Sequence, residues 1–168
     1  MLLSLPDLIA RLAPDQRLLG LDPGAKTIGV AVTDASRMIA SPHAALKRGK
    51  LTANAAEIAR MARALDAGGL VVGLPLSMDG SFGPAAQAAR DWARALSDAT
   101  NLPAALWDER LSSAAVNRFL IEEADMTRQR RGQVVDQMAA AYMLQGALDT
   151  INRPGALPPT SLWDPAGA

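Results

Sequence analysis

The chain has 168 residues, 49% of them hydrophobic, which suits one domain with a buried core and not a disordered polymer. Lys plus Arg balances Asp plus Glu at 17 each, so nothing supports a broad, sequence-blind nucleic-acid coat, although a local basic patch is compatible with that balance. There are no cysteines and one histidine, His43, which excludes disulfides and a Cys/His zinc site within one chain and leaves carboxylates, with hard ions such as Mg²⁺ or Mn²⁺, for any intrinsic metal centre.

Met1 to Asp15 reads as a short amphipathic helix, with Pro6 near its start and Pro14 at its end. "RLLGLD" (17–22) is a buried strand. "TIGVAVTD" (27–34) alternates Ile28, Val30 and Val32 on one side, the period of a strand. "RMIASP" (37–42) is a third short strand, closed by Pro42. Thr52 to Ala67 is helical, with Ile58, Met61 and Leu65 at core-facing spacing. "GGLVVGLP" (68–75) is a compact strand of the kind buried on both faces. "SMDGSFG" (77–83) is a loop by composition, either a cover for substrate or a plain connection. Pro84 to Ala99 is a helix, "PAALWDE" (103–109) a strand, and Ser112 to Ala124 a helix with Ser112 or Ser113 as N-cap. "DMTRQRRGQ" (125–133) is a polar basic loop, followed by a long helix from Gln133 to Ile151. Residues 152–168 form a Pro/Gly-rich irregular tail. The order βββαβαβαα specifies one α/β domain on a mixed sheet, residues 17–151, with a helical extension (1–16) before it and the tail after it. No apolar run approaches the roughly 18–20 residues that span a bilayer, and the first residues lack the cationic start of a signal peptide, so a soluble, cytoplasmic protein is expected.

"GLDPGAKT" (20–27) differs from a phosphate-binding P-loop at one position, Ala25 standing where the second glycine would be. A P-loop opens a helix, whereas this stretch runs into a strand with Gly29 inside it. The segment instead places Asp22 at the end of a buried strand, before a Pro-Gly turn. Turn chemistry alone would account for an isolated "LDPG". Two further carboxylates change the weighing. Glu109, in "LWDERLSS", ends another apolar strand, at the sheet edge where open α/β proteins gather their ligands; the alternative is a solvated charge beside Asp108 and Arg110. Asp136, in "GQVVDQMAAAYMLQ", shares a helix face with Ala139, Ala140, Met143 and Ala147, so a carboxylate points toward the sheet; its place in the first turn would let the helix dipole favour its charge. Three carboxylates on one spot repel one another unless cations intervene. Two such ions about 3.5–4 Å apart suit a phosphodiester displacement.

"LLGLDPGAKTIGVAVTD", "VVGLPLSMDGSFGP", "LWDERLSS" and "TRQRRGQVVDQMAAAYMLQ", in this order between Arg17 and Ile151, resemble the YqgF family of the RNase H-like nuclease superfamily. Its members are described as pre-16S rRNA processing nucleases and as Holliday junction resolvases. The resemblance implies an RNase H-like α/β fold, a five-stranded mixed sheet flanked by helices. It also implies a metal-dependent phosphodiesterase with Asp22, Glu109 and Asp136 as catalytic, metal-holding residues and one or two Mg²⁺ or Mn²⁺ ions, expected to be two. Pre-16S rRNA 5′-end maturation, on ribosomal precursor particles, is the first expectation. Branched DNA is the second, and there symmetric cleavage would call for a homodimer in place of a monomer. The family commonly carries a basic residue after Lys26; here it is Thr27, which removes one candidate phosphate contact.

Lys26, Arg128, Arg130 and Arg131 are candidate contacts to a nucleic-acid backbone, with a solvated charge run as the alternative. His43 is read as a surface residue and Trp92 and Trp107 as core. Trp163 serves either a partner or packing of the tail. Two other functions remain open: a catalytically silent nucleic-acid-binding module, which would not need three carboxylates, and an actin-like ATP-binding domain, which would need a second copy of the fold to form its cleft.

Overall fold

The computed structural model describes residues 1–75, 81–108 and 128–152. Their apolar segments build a five-stranded sheet in the order β3-β2-β1-β4-β5. The strands are β1 (Arg17–Pro23), β2 (Thr27–Thr33), β3 (Ala40–Lys47), β4 (Ala67–Leu74) and β5 (Ala104–Asp108). β1 to β3 form an antiparallel meander, and β4 and β5 run parallel to β1. The helices are α1 (Leu5–Arg11), α2 (Leu51–Leu65), α3 (Pro84–Thr100) and α4 (Arg128–Asn152). This is the mixed α/β sandwich expected of the sequence, and it sends the C-terminal ends of β1, β4 and β5 to one edge.

Strand alternation divides the core in two. Leu19, Leu21, Ile28, Val30, Leu70, Val72 and Leu106 pack on one face against α2 and α3. Leu18, Ala31, Val71 and Ala105 face the other way, against α1 and the Ala140, Met143, Leu144, Ala147 and Leu148 stripe of α4. Trp92 packs against the first cluster and Trp107 against the second, both in the structural role expected of them.

Three elements depart from the sequence reading. The first helix is only Leu5–Arg11, capped by Ser4, whose hydroxyl accepts from the Asp7 N–H at 3.3 Å. The residues before it are extended along β5: Leu3 N–H donates to the Ala104 carbonyl and Ala104 N–H to that of Met1. β3 begins and ends later than expected, because Pro42 lies inside it; β3 is an edge strand, where a missing N–H costs the sheet nothing. Arg37, placed in that strand by the sequence, is instead a turn residue with φ 56°. α4 starts at Arg128, so Arg128 to Gln133 are helical and not loop; arginine and glutamine are good helix formers, and a helix can begin without an apolar stripe. The expected helix Ser112–Ala124, most of the 77–83 loop and the tail from 153 lie outside the described residues.

Candidate active site

The site is built where β1, β2 and α4 meet. β1 delivers Asp22 as its penultimate residue, half-buried, and the chain turns through Gly24 to Lys26 into β2. Gly24 N–H closes the turn on the Thr27 carbonyl at 2.8 Å. No helix follows, so the P-loop reading fails on structure as it did on sequence.

Asp22 pairs across the ladder with Gly29. A Cβ on Gly29 would lie 2.0 Å from the Asp136 carbonyl oxygen, and one on Gly20 would lie 2.9 Å from Leu144 Cβ. Both glycines therefore let α4 settle onto the strands at backbone distance. They also fix directions. Directly opposed residues of an antiparallel pair project to one face, as do residues two apart on one strand. Asp22, opposite Gly29 and two residues after Gly20, thus projects to the α4 face. Asp136 is held on that face by a hydrogen bond from the Thr27 hydroxyl to its Oδ2. Two acidic residues 114 positions apart in the chain (136 − 22) are thus both brought against Gly29.

The anticipated Asp136, Ala139, Ala140, Met143 and Ala147 face does turn toward the sheet, its four apolar members all buried. The electrostatic part of that expectation needs correction. Asp136 lies eight residues (136 − 128) beyond the start of α4, about two turns in, and the helix dipole acts on the first turn. The Thr27 hydroxyl, not the helix end, is the local partner of this carboxylate.

Sequence reasoning missed Thr27, noting it only as the loss of a cation. It also passed over Gly29, although a glycine inside a strand pattern is the available signal for close backbone approach. Arg48 was missed as well. Its Nη1 donates to the Gly24 carbonyl at 2.8 Å, its backbone N–H to that of Lys26 at 2.9 Å, and its guanidinium lies 5.5 Å from the Trp92 ring centroid. The turn after Asp22 is thereby tied to β3 and α3.

Lys26 stands exposed in that turn. Arg128, Arg130 and Arg131 occupy the first turns of α4, and their side chains lie outside the described residues. Glu109 directly follows β5 in sequence and also lies outside them. Among the described residues, no three of His, Asp and Glu gather as a metal-binding group. His43 is exposed on β3, as expected of a surface residue.

Comparison with known proteins extends this picture. A protein of Gluconacetobacter diazotrophicus is 66% identical over 148 residues, covering 88% of this chain and 96% of its own. One from Gluconobacter oxydans is 67% identical over 150 residues, covering 89% and 93%. Both carry the name "Putative pre-16S rRNA nuclease". Among solved structures, T. thermophilus RuvC in complex with a Holliday junction substrate superposes with a TM-score of 0.50 at 16% identity, over 84% of this chain and 97% of that one, a likeness of fold: the RNase H-like sheet. The family model described as "RuvX: Holliday junction resolvase" matches residues 16–150, and with that span and these relatives the chain belongs to the RuvX (YqgF) family.

Proposed function

We propose that this chain is a metal-dependent nuclease that hydrolyses phosphodiester bonds of structured nucleic acid, and that its main work is 5′-end processing of pre-16S rRNA on ribosomal precursor particles in the cytoplasm. The observation that supports the reading is that Asp22 and Asp136 both adjoin Gly29, near the sheet edge where β1, β4 and β5 end. The names of the closely similar relatives support the rRNA substrate.

The donor set fits a hard divalent ion. Asp22 and Asp136 offer carboxylate oxygens, no thiolate competes, and Glu109 supplies a third carboxylate in the sequence. These three residues would hold Mg²⁺ or Mn²⁺, as a pair of ions. When bound, such ions acidify water and neutralise the charge that develops on the leaving oxygen. The chain's own contribution is placement. Gly29 allows Asp136 to reach the sheet, and Thr27 fixes which carboxylate oxygen is engaged by protein. Lys26, Arg128, Arg130 and Arg131 bind the phosphate backbone and orient it.

A second reading, cleavage of branched DNA, is favoured by the matched family's description. It requires a homodimer for paired cuts, whereas rRNA processing is compatible with a monomer.

One experiment addresses both. Wild type and Asp22→Asn are given an rRNA-precursor 5′ leader and a four-way DNA junction with Mg²⁺ or Mn²⁺. Wild type is expected to cut, the leader faster, and the variant to lose at least about a hundredfold in rate, as expected when a metal ligand is neutralised. Undiminished cleavage by Asp22→Asn would overturn the site. Absence of cutting and of metal binding by wild type would leave a silent nucleic-acid-binding module.

A further inference from the structure

Thr27 leaves this chain without the cation its family commonly places after Lys26, and the register of β2 and β3 shows another in its place. Thr27 pairs directly with Lys47. Opposed residues share a face, and Leu46 and Ala44, the alternating neighbours on β3, pack against the α2–α3 core. Lys47 therefore projects to the α4 face, beside the hydroxyl that holds Asp136. It is exposed, and among the described residues neither it nor Lys26 nor Lys50 forms an ion pair.

The backbone that carries these lysines is fixed on both sides. Arg48 is tied to Gly24 and Lys26, as described above. Gly49 N–H donates to Asn54 Oδ1 at 2.9 Å, and Asn54 Nδ2 donates to the Lys47 carbonyl at 3.1 Å, with Asn54 itself buried. Lys50 then starts α2, whose first turn carries no acidic residue. Among the described residues Lys26 and Lys47 thus stand unpaired on pinned backbone beside Thr27, forming a ledge on the β3 side of the site, and Lys50 follows three residues after Lys47 at the start of α2. A ledge of this kind loses little freedom on binding, and its charge complements a phosphate backbone.

We infer that Lys47, flanked by Lys26 and Lys50, binds the phosphate backbone of the substrate on the β3 side of the site and takes over the contact that Thr27 forgoes. The inference rests on the nuclease reading and adds to it the path of the substrate: one strand leaves the carboxylates across β2 and β3.

The test measures binding of labelled rRNA leader and four-way DNA junction, in chelator, from 50 to 200 mM salt, with wild type, Lys47→Gln and Lys47→Arg. Removing one phosphate contact lowers the salt slope by about 0.9 on duplex, so the affinity gap between wild type and Lys47→Gln should narrow about threefold across that range. Lys47→Arg should restore the wild-type slope. With metal present, Lys47→Gln should raise KM and leave kcat unchanged, and its melting temperature should match wild type because the side chain is exposed. An unchanged slope and KM, in a protein that still binds and cuts, would overturn the ledge and leave the nuclease standing. So would a fall in kcat alone, which would tie Lys47 to the carboxylates instead. Failure of wild type to bind either probe would remove both readings.

Discussion

At the scale of single residues, Gly29 sets the site. Its missing side chain is occupied by the backbone of α4, and backbone cannot rotate aside. Gly29→Ala would put a methyl 2.0 Å from the Asp136 carbonyl oxygen, so α4 must lift off β2. Overpacking of this kind costs about 2–3 kcal/mol or more. Gly20→Ala meets Leu144 Cβ at 2.9 Å, an atom that moves only with α4, but the overlap is far shallower than at Gly29 and should cost about 1–2 kcal/mol. Urea denaturation of the two variants gives the comparison; equal losses would mean that α4 can shift over Gly29 as readily as over Gly20. Thr27 supplies the complementary case. Thr27→Val keeps the shape and removes the hydroxyl that holds Asp136 Oδ2. Residues that orient metal ligands typically matter by about 10–100-fold, so kcat/KM should fall by that factor with stability nearly unchanged, and Thr27→Ser should recover most of it. A Val variant with full activity would show that Asp136 is oriented from elsewhere.

At the scale of elements, the β2–β3 hairpin shows what sequence could and could not convey. Alternation along Thr27–Thr33 and the small-residue stripe of α4 were legible, because period is a local property. So were Asp22 near the end of β1 and the sheet-facing side of α4 on which Asp136 lies; Glu109 falls outside the described residues. The partnership of Thr27 with Asp136 was not, since it joins residues 109 apart and exists only once α4 crosses β2. β3 was misplaced because Pro42 was read as a terminator, and edge position, a tertiary property, overrides that rule. The tip of this hairpin has its own pH dependence. The Asp34 carboxylate accepts from the Ser36 hydroxyl at 2.5 Å and from the Ile39 and Met38 N–H groups, which lowers its pKa to about 2. A depressed carboxylate pKa stabilises the fold above the unfolded value of about 3.9 and loses that contribution as pH falls through about 2. The hairpin should therefore weaken between about pH 4 and pH 2, by at most about 1 kcal/mol because the group is well solvated. In Asp34→Asn the extra loss of stability across that window should disappear; wild type and variant with parallel pH profiles would refute the assignment.

At the scale of the whole molecule, the α4 face of the sheet is covered by two unequal pieces. α4 lies over β1, β2 and β3, the half that carries Asp22 and faces Asp136. α1 covers the other half, with Leu5 and Leu8 packed among Leu18, Val71 and Ala105. The fit there is also close: Leu8 Cδ1 lies 2.7 Å from where a Cβ on Gly69 would stand. The first helix, outside the span that the family model matches, is thus part of the core, in a cluster that among the described residues does not include Asp22, Thr27 or Asp136. Its effect on activity should pass through stability alone. Leu8 is fully buried, and Leu8→Ala should remove about 2–4 kcal/mol, the cost of an aliphatic side chain plus the cavity it leaves. For a chain of this size that lowers Tm by about 5–12 °C. Well below the new Tm, kcat/KM on the rRNA leader should equal wild type, because Asp22, Thr27 and Asp136 are held by β1, β2 and α4 without α1. A drop in kcat/KM at 25 °C in a variant that is still fully folded would instead mean that the two halves of this face move together, and that the N-terminal helix sets the height at which α4 rests on Gly29.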